Sequence, residues 1–159
     1  MRLIGIVGHK NAGKTTLTER LVAEFVRRGL VVSTLKRTHH ALDLDTPGTD
    51  SHRHRVAGAR QVVLDSDARI TTFEEAGPRD LASLLTRLAP CDIALAEGWK
   101  RGDHFRIEVW RPETGLPPLA AGDPTIAAVA TPGPCDAAAP HLALDDVAAI
   151  ADFALEHAP

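Results

Sequence analysis

The chain has 159 residues, of which 44% are hydrophobic and 25% charged, and its formal net charge is −3. These values exclude a largely disordered chain and disfavour wholesale nucleic-acid binding, and the lone cysteines Cys91 and Cys135 lack the paired spacing of a thiolate zinc site. No apolar run is long enough to span a membrane and no signal peptide is evident, so we expect a cytoplasmic protein with one domain over residues 1–159.

The first elements follow a strand, helix, strand pattern. The apolar, β-branched run Arg2–Val7 predicts a buried strand, and Lys14 begins a helical pattern that Gly29 is placed to end. The apolar residues 30–35 predict a second strand. Short connections between these elements indicate a βαβ unit, in which the two strands are parallel.

The rest of the chain continues this alternation. Residues 36–49 show little periodicity and predict a functional loop. Further helices are predicted over residues 50–59, 78–88 and 145–157, and further strands over residues 61–64, 69–73, 91–96, 105–109 and 125–130. Because apolar and polar residues alternate over 105–109, we expect an edge strand with one buried face. The pattern predicts a single doubly wound α/β domain, with a mostly parallel sheet and helices on both faces.

Residues 8–15 match the P-loop pattern of glycine, four free positions, glycine, lysine, then serine or threonine. A chance match is expected about 0.005 times in a chain of this length. Glycines allow a tight turn whose N–H groups converge on phosphate oxygens, the lysine neutralises the β and γ phosphates, and the hydroxyl can ligate Mg²⁺. We predict a nucleoside triphosphate site formed by Gly8, His9, Asn11, Ala12, Gly13, Lys14, Thr15 and Thr16.

Three residues outside the P-loop could complete the site. Ligands of open α/β sheets bind beyond the carboxyl ends of the strands, where Glu97 ends a predicted strand. We expect Glu97 to serve Mg²⁺ or a catalytic water, whereas Asp92 begins the same strand, roughly 16 Å away. The alternative for Glu97 is a strand-end carboxylate paired with Lys100 or Arg101. Lys36 could touch phosphate or a second anionic ligand, or it could be a solvated residue at the strand end. Asp50 could ligate the metal or cap a helix.

A group of histidines and acidic residues is the densest set of potential transition-metal ligands, comprising His39, His40, Asp43, Asp45, His52 and His54. The spacing matches no familiar zinc pattern, so we favour a solvent-facing or substrate-facing loop over a metal site. No Asn-Lys-x-Asp sequence follows a strand, so the residues alone leave guanine and adenine open.

Four segments together resemble the molybdopterin-guanine dinucleotide biosynthesis adapter protein family, whose members are GTP-binding P-loop proteins. The segments are residues 8–16, Lys36 with His39, His40 and Asp45, residues 48–59 with Asp50-Ser51 and Ala57-Gly58-Ala59, and residues 92–100 with Glu97-Gly98-Trp99-Lys100. The combination is more specific than the P-loop alone and covers most of the first two-thirds of the chain.

This resemblance implies GTP and Mg²⁺ binding, at most slow GTP hydrolysis, and a homodimer. It also implies a partner, the guanylyltransferase that attaches GMP to molybdopterin, and molybdopterin itself could bind directly. A metallochaperone GTPase that uses the histidine-rich loop and a P-loop small-molecule kinase or ligase remain alternatives. No arginine finger is evident, although Arg37, Arg53 and Arg55 lie in or near the loop.

Overall fold

The computed structural model describes residues 1–38, 43–75 and 77–159. The chain divides into two compact units, one formed by Met1–Arg37 with Leu81–Pro159 and the other by Thr38–Asp80. Within the described ranges, the strands are β1 (Arg2–Val7), β2 (Val32–Lys36), β3 (Gln61–Ser66), β4 (Arg69–Glu74), β5 (Ile93–Glu97), β6 (Phe105–Val109), β7 (Ala128–Thr131) and β8 (His141–Ala143). The α-helices are α1 (Lys14–Arg27), α2 (Asp50–Val56), α3 (Leu81–Leu85) and α4 (Val147–His157).

The first unit is built on a six-stranded sheet with the order β2-β5-β1-β6-β7-β8. All of its strand pairs are parallel, which confirms the α/β fold class with a mostly parallel sheet. Parallel strands place all their carboxyl ends at one edge, and β1 lies between β5 and β6. In this register Glu97 is opposite both Ile6 and Lys36. The P-loop that follows β1 therefore meets the ends of β2 and β5.

The main core lies between the sheet and the two longest helices. Leu17, Leu21 and Phe25 recur at helical spacing along α1, and they are buried against Ile4 and Ile6 of β1 in one apolar cluster. Each such side chain contributes roughly 1.5–3 kcal/mol by leaving water. This packing fixes α1 on the sheet and therefore fixes the loop from which α1 starts.

The prediction that residues 105–109 form an edge strand with a solvent-facing side was wrong. Strand β6 pairs with β1 on one side and β7 on the other, and Arg106 and Glu108 are fully buried. The guanidinium of Arg106 lies 3.0 Å from Asp123 Oδ2, and the Glu108 carboxylate accepts the N–H groups of Leu119 and Ala120 at 2.8 and 2.9 Å. The polar side chains alternate because they bind the loop that covers this face.

Two other element predictions differ from the structure. The helix predicted over 78–88 forms only as α3, which has no buried residue, so no apolar face stabilises a longer helix. Strand β8 was not predicted, because three residues carry too little periodicity to identify a strand. No helix in the described ranges is long and apolar enough to cross a bilayer.

The second unit contains α2 and an antiparallel hairpin of β3 and β4. Asp45 is buried there and accepts from Ser51 Oγ at 2.9 Å. The alternative that Asp50 caps α2 was wrong. The N-cap is Thr49, whose side chain accepts the His52 N–H. Asp50 is instead the first helical residue.

Candidate functional site

The P-loop adopts backbone conformations that its glycines permit. Gly8 has φ 143° and Gly13 has φ 100°, both unfavourable for residues with a Cβ. A Cβ at Gly8 would lie only 2.3 Å from the Val109 carbonyl oxygen, so any larger residue would displace the loop from β6. Asn11, with φ 64°, belongs to a residue type that tolerates this region. The turn leads directly into α1, whose first N–H groups have no partners within the helix.

Lys14 lies folded back over the loop. Its ammonium donates to the His9 carbonyl oxygen at 2.6 Å. Burial and the nearby ammonium of Lys100 lower the pKa of Lys14, with a smaller contribution from Lys36, while Glu97 opposes the shift. Positive charge is therefore concentrated beside the loop, where an anion would be stabilised.

Thr15, Lys36 and Glu97 meet beside the P-loop, at the edge of the sheet where β2 and β5 end. The Thr15 hydroxyl donates to Glu97 Oε1 at 2.9 Å, and the Lys36 ammonium donates to Thr15 Oγ1 at 3.1 Å. The ammonium also lies 3.4 Å from Glu97 Oε1. The ion-pair alternative for Glu97 is thus present, but with Lys36. Asp92 lies before the amino end of β5, where its carboxylate accepts the Val31 N–H at 2.8 Å.

The remaining predicted P-loop residues have different surroundings. Ala12 is fully buried in the main core, so its side chain anchors the P-loop to that core. His9 Nε2 lies 2.9 Å from the Pro117 carbonyl oxygen and ties the P-loop to the segment after β6. Thr16 is exposed in the first turn of α1.

Arg111 is a site residue that the sequence reasoning missed. It follows β6 at the same carboxyl edge, and its Nε lies 3.5 Å from the position that a Cβ on Gly13 would occupy. The half-buried guanidinium forms no ion pair within the described ranges. The strand-end rule that identified Glu97 could also have identified Arg111, had β6 been recognised as a central strand.

The described part of the histidine-rich segment is held by ion pairs. Arg55 lies 2.7 Å from Asp43 Oδ2, 3.3 Å from Asp45 Oδ2 and 2.9 Å from Glu75 Oε1. The described residues contain no group of three or more histidine, cysteine or acidic side chains placed to hold a metal. His39 and His40 lie outside the described residues, so their role stays a prediction.

A cavity of about 360 Å³ adjoins Thr15, Lys36 and Glu97 between α1 and β2. Its other lining residues are Thr18, Glu19, Val22, Thr34 and Leu35. The site therefore combines the P-loop, the hydrogen-bonded pair of Thr15 and Glu97, and the adjoining cavity.

A parallel α/β sheet with this loop between β1 and α1 defines a protein of the P-loop class. The family model described as molybdopterin guanine dinucleotide synthesis protein B matches residues 3–132. The chain therefore belongs to that family, which confirms the resemblance seen in the sequence.

Relatives and solved structures agree with this assignment. Over 154 residues the chain is 36% identical to the molybdopterin-guanine dinucleotide biosynthesis adapter protein of Haemophilus influenzae, covering 95% of this chain and 86% of the relative. The Escherichia coli protein of the same name is 32% identical over 160 residues, covering 97% and 91%. A crystal structure of molybdopterin-guanine biosynthesis protein B is 27% identical with a TM-score of 0.74, covering 97% of both chains. A MobB protein homolog from Bacillus stearothermophilus is 26% identical with a TM-score of 0.73, covering 98% and 97%.

Proposed function

We propose that this protein binds GTP with Mg²⁺ at the P-loop and serves as an adapter in the synthesis of molybdopterin guanine dinucleotide. The observation that carries the proposal is the contact of Thr15 with Glu97 directly beside the glycine-rich turn and Lys14. In this proposal the P-loop would hold the phosphates next to two oxygen atoms that could ligate a metal. Family membership and the similarity to two molybdopterin-guanine dinucleotide biosynthesis adapter proteins support the adapter role.

The residues present fit a magnesium ion. Mg²⁺ prefers oxygen ligands at about 2.0–2.1 Å in an octahedron, in which neighbouring ligands are about 3 Å apart. Thr15 Oγ1 and Glu97 Oε1 are 2.9 Å apart, and the Lys36 ammonium lies beside both oxygens, so their surroundings favour a cation. When bound, Mg²⁺ would neutralise phosphate charge. Asp50 belongs to the other unit, and its metal role stays a prediction.

The same proposal includes a partner, a homodimer and a location. We infer that the partner is the guanylyltransferase that attaches GMP to molybdopterin, and that molybdopterin could also contact the adapter. Two relatives are adapter proteins, which supports a protein partner. A cytoplasmic homodimer with at most slow GTPase activity completes the proposal.

Calorimetric titration with GTP and with ATP, each in Mg²⁺ and in EDTA, tests the nucleotide part. We expect GTP to bind more tightly than ATP and Mg²⁺ to strengthen the binding. No binding of either nucleotide by folded protein would contradict the proposal, and a preference for ATP would contradict its guanine part. Sedimentation of the protein alone and with the guanylyltransferase tests the dimer and the partner, since a monomer with no complex would overturn both.

A further inference from the structure

Lys36 already makes the contacts that a bound cation would make. Its ammonium donates to Thr15 Oγ1 at 3.1 Å and lies 3.4 Å from Glu97 Oε1. The hydroxyl hydrogen of Thr15 points to Glu97, at 2.9 Å, which leaves the oxygen lone pairs toward the ammonium. A hydroxyl that ligates a metal would present the same lone pairs to it.

We propose that Lys36 is an internal substitute for the divalent cation, held between Thr15 and Glu97 without metal and displaced when Mg²⁺ arrives with the nucleotide. This inference rests on the proposed nucleotide function. An ammonium and a magnesium ion cannot both lie within bonding distance of the same two oxygens, because their charges repel strongly at such short separation. Metal binding therefore requires Lys36 to move.

Side-chain exposure indicates which partner moves. The Lys36 side chain is 58% exposed, whereas that of Glu97 is only 10% exposed. A flexible, half-solvated lysine can swing away at little cost, while the carboxylate is held by its surroundings. The adjoining cavity is lined by Lys36 and by Glu19, so the displaced ammonium has an anionic group nearby.

The displacement of Lys36 by Mg²⁺ changes how strongly nucleotide binding depends on the metal. Without Mg²⁺, the Lys36 ammonium supplies positive charge next to the triphosphate and supports part of the binding. With Mg²⁺, the metal supplies that charge and the lysine is no longer needed between the two oxygens. Mg²⁺ should therefore strengthen GTP binding less in the unsubstituted protein than in a variant without the Lys36 ammonium.

The test measures the metal gain, defined as the Kd for GTP in EDTA divided by the Kd in Mg²⁺. For Lys36→Met we expect this ratio to rise about tenfold, the size of one charge-assisted hydrogen bond, because metal-free binding weakens most. Lys36→Arg keeps the charge and should return the ratio toward the unsubstituted value. Lys10→Met is the matched control, since it removes a lysine from the P-loop whose ammonium bonds to neither Thr15 nor Glu97.

The outcomes separate this inference from the proposed function. An unchanged ratio in Lys36→Met, or equal weakening with and without Mg²⁺, would overturn the inference while GTP binding itself stands. A ratio that rises equally in Lys10→Met would also overturn it, because general charge loss would then explain the effect. Failure of the folded, unsubstituted protein to bind GTP under either condition would overturn the proposed function, and the inference with it. Circular dichroism establishes that each variant is folded.

Discussion

In the proposed site, Lys14 would supply the positive charge that the P-loop brings to a phosphate. Its ammonium is already directed over the loop by the 2.6 Å contact with the His9 carbonyl oxygen. Lys14→Ala removes a charge-assisted contact of roughly 1.5–3 kcal/mol, so triphosphate binding should weaken about tenfold to a hundredfold. A titration with fluorescent GTP measures the loss, with the exposed Lys10→Ala as control. Unchanged affinity in folded Lys14→Ala would mean that the loop does not hold phosphate.

Two carboxylates at opposite ends of β5 provide a matched pair of tests. Glu97 contacts Thr15 beside the P-loop, whereas Asp92 accepts the Val31 N–H at the other end of the strand. Glu97→Gln keeps the shape and removes the charge, so Mg²⁺-dependent GTP binding should fall while metal-free binding is kept or improved. Asp92→Asn should change neither. Titrations in Mg²⁺ and in EDTA compare the two variants, and equal effects would contradict the role given to Glu97.

At the scale of elements, a buried carboxylate of β6 binds the segment that covers this strand. Glu108 is fully buried and accepts two N–H groups at the start of the short 3-10 helix Leu119–Ala121. This contact holds the segment after β6 on the face of the sheet opposite α1. The same segment contains Pro117, whose carbonyl oxygen meets His9 of the P-loop. Packing on the second face is thus linked to the position of the site.

Glu108→Gln should therefore destabilise the protein. The amide can accept only one of the two N–H groups well and places its own NH₂ against a donor, which costs about 1–3 kcal/mol. Urea unfolding should show a lower midpoint with an unchanged slope. Glu113→Gln, an exposed change in the same segment, is the control and should leave the midpoint in place. Equal midpoints for both variants would show that the carboxylate does not hold the segment.

Elements with strong local signals could be predicted from the sequence, and those set by distant contacts could not. The bounds Arg2–Val7 and the start of α1 at Lys14 follow from an apolar run that ends in a glycine turn. The polar residues of β6 were misread because a buried arginine and glutamate look like solvent-facing residues until their partners are known. Those partners, Asp123 and the N–H groups of Leu119 and Ala120, lie 11 to 17 residues away in sequence.

At the scale of the whole molecule, the strand order explains why part of the site was predictable. Glu97 was identified because every parallel strand ends at the same edge, whatever its neighbours are. The contacts among Thr15, Lys36 and Glu97 could not be predicted, because they require β5 to lie between β1 and β2. No local pattern specifies that order. Arg111 was missed for the same reason, since only the position of β6 beside β1 brings it to Gly13.

The rate of GTP hydrolysis depends on whether an arginine can reach the transferred phosphate. Arg55 is engaged by Asp43, Asp45 and Glu75, so it is not available as an arginine finger without breaking these contacts. Arg111 lies against Gly13 at the edge of the loop, so it is a candidate for this role within the same unit. Its Nε lies 3.5 Å from the position of a Cβ on Gly13, so the guanidinium lies beside the loop backbone.

We therefore expect the isolated protein to hydrolyse GTP far below the median enzyme rate of about 10 s⁻¹, because a well-placed arginine finger contributes about 10³–10⁵ in rate. Phosphate release at steady state, measured for the protein alone and with the guanylyltransferase, checks this. Arg111→Ala identifies any contribution from that side chain, with Arg27→Ala, an exposed change in the last turn of α1, as control. Rapid hydrolysis by the protein alone that is lost in Arg111→Ala would make it a self-sufficient GTPase. A phosphorylated small molecule would instead support the kinase alternative, and either result would contradict an adapter that acts through its partner.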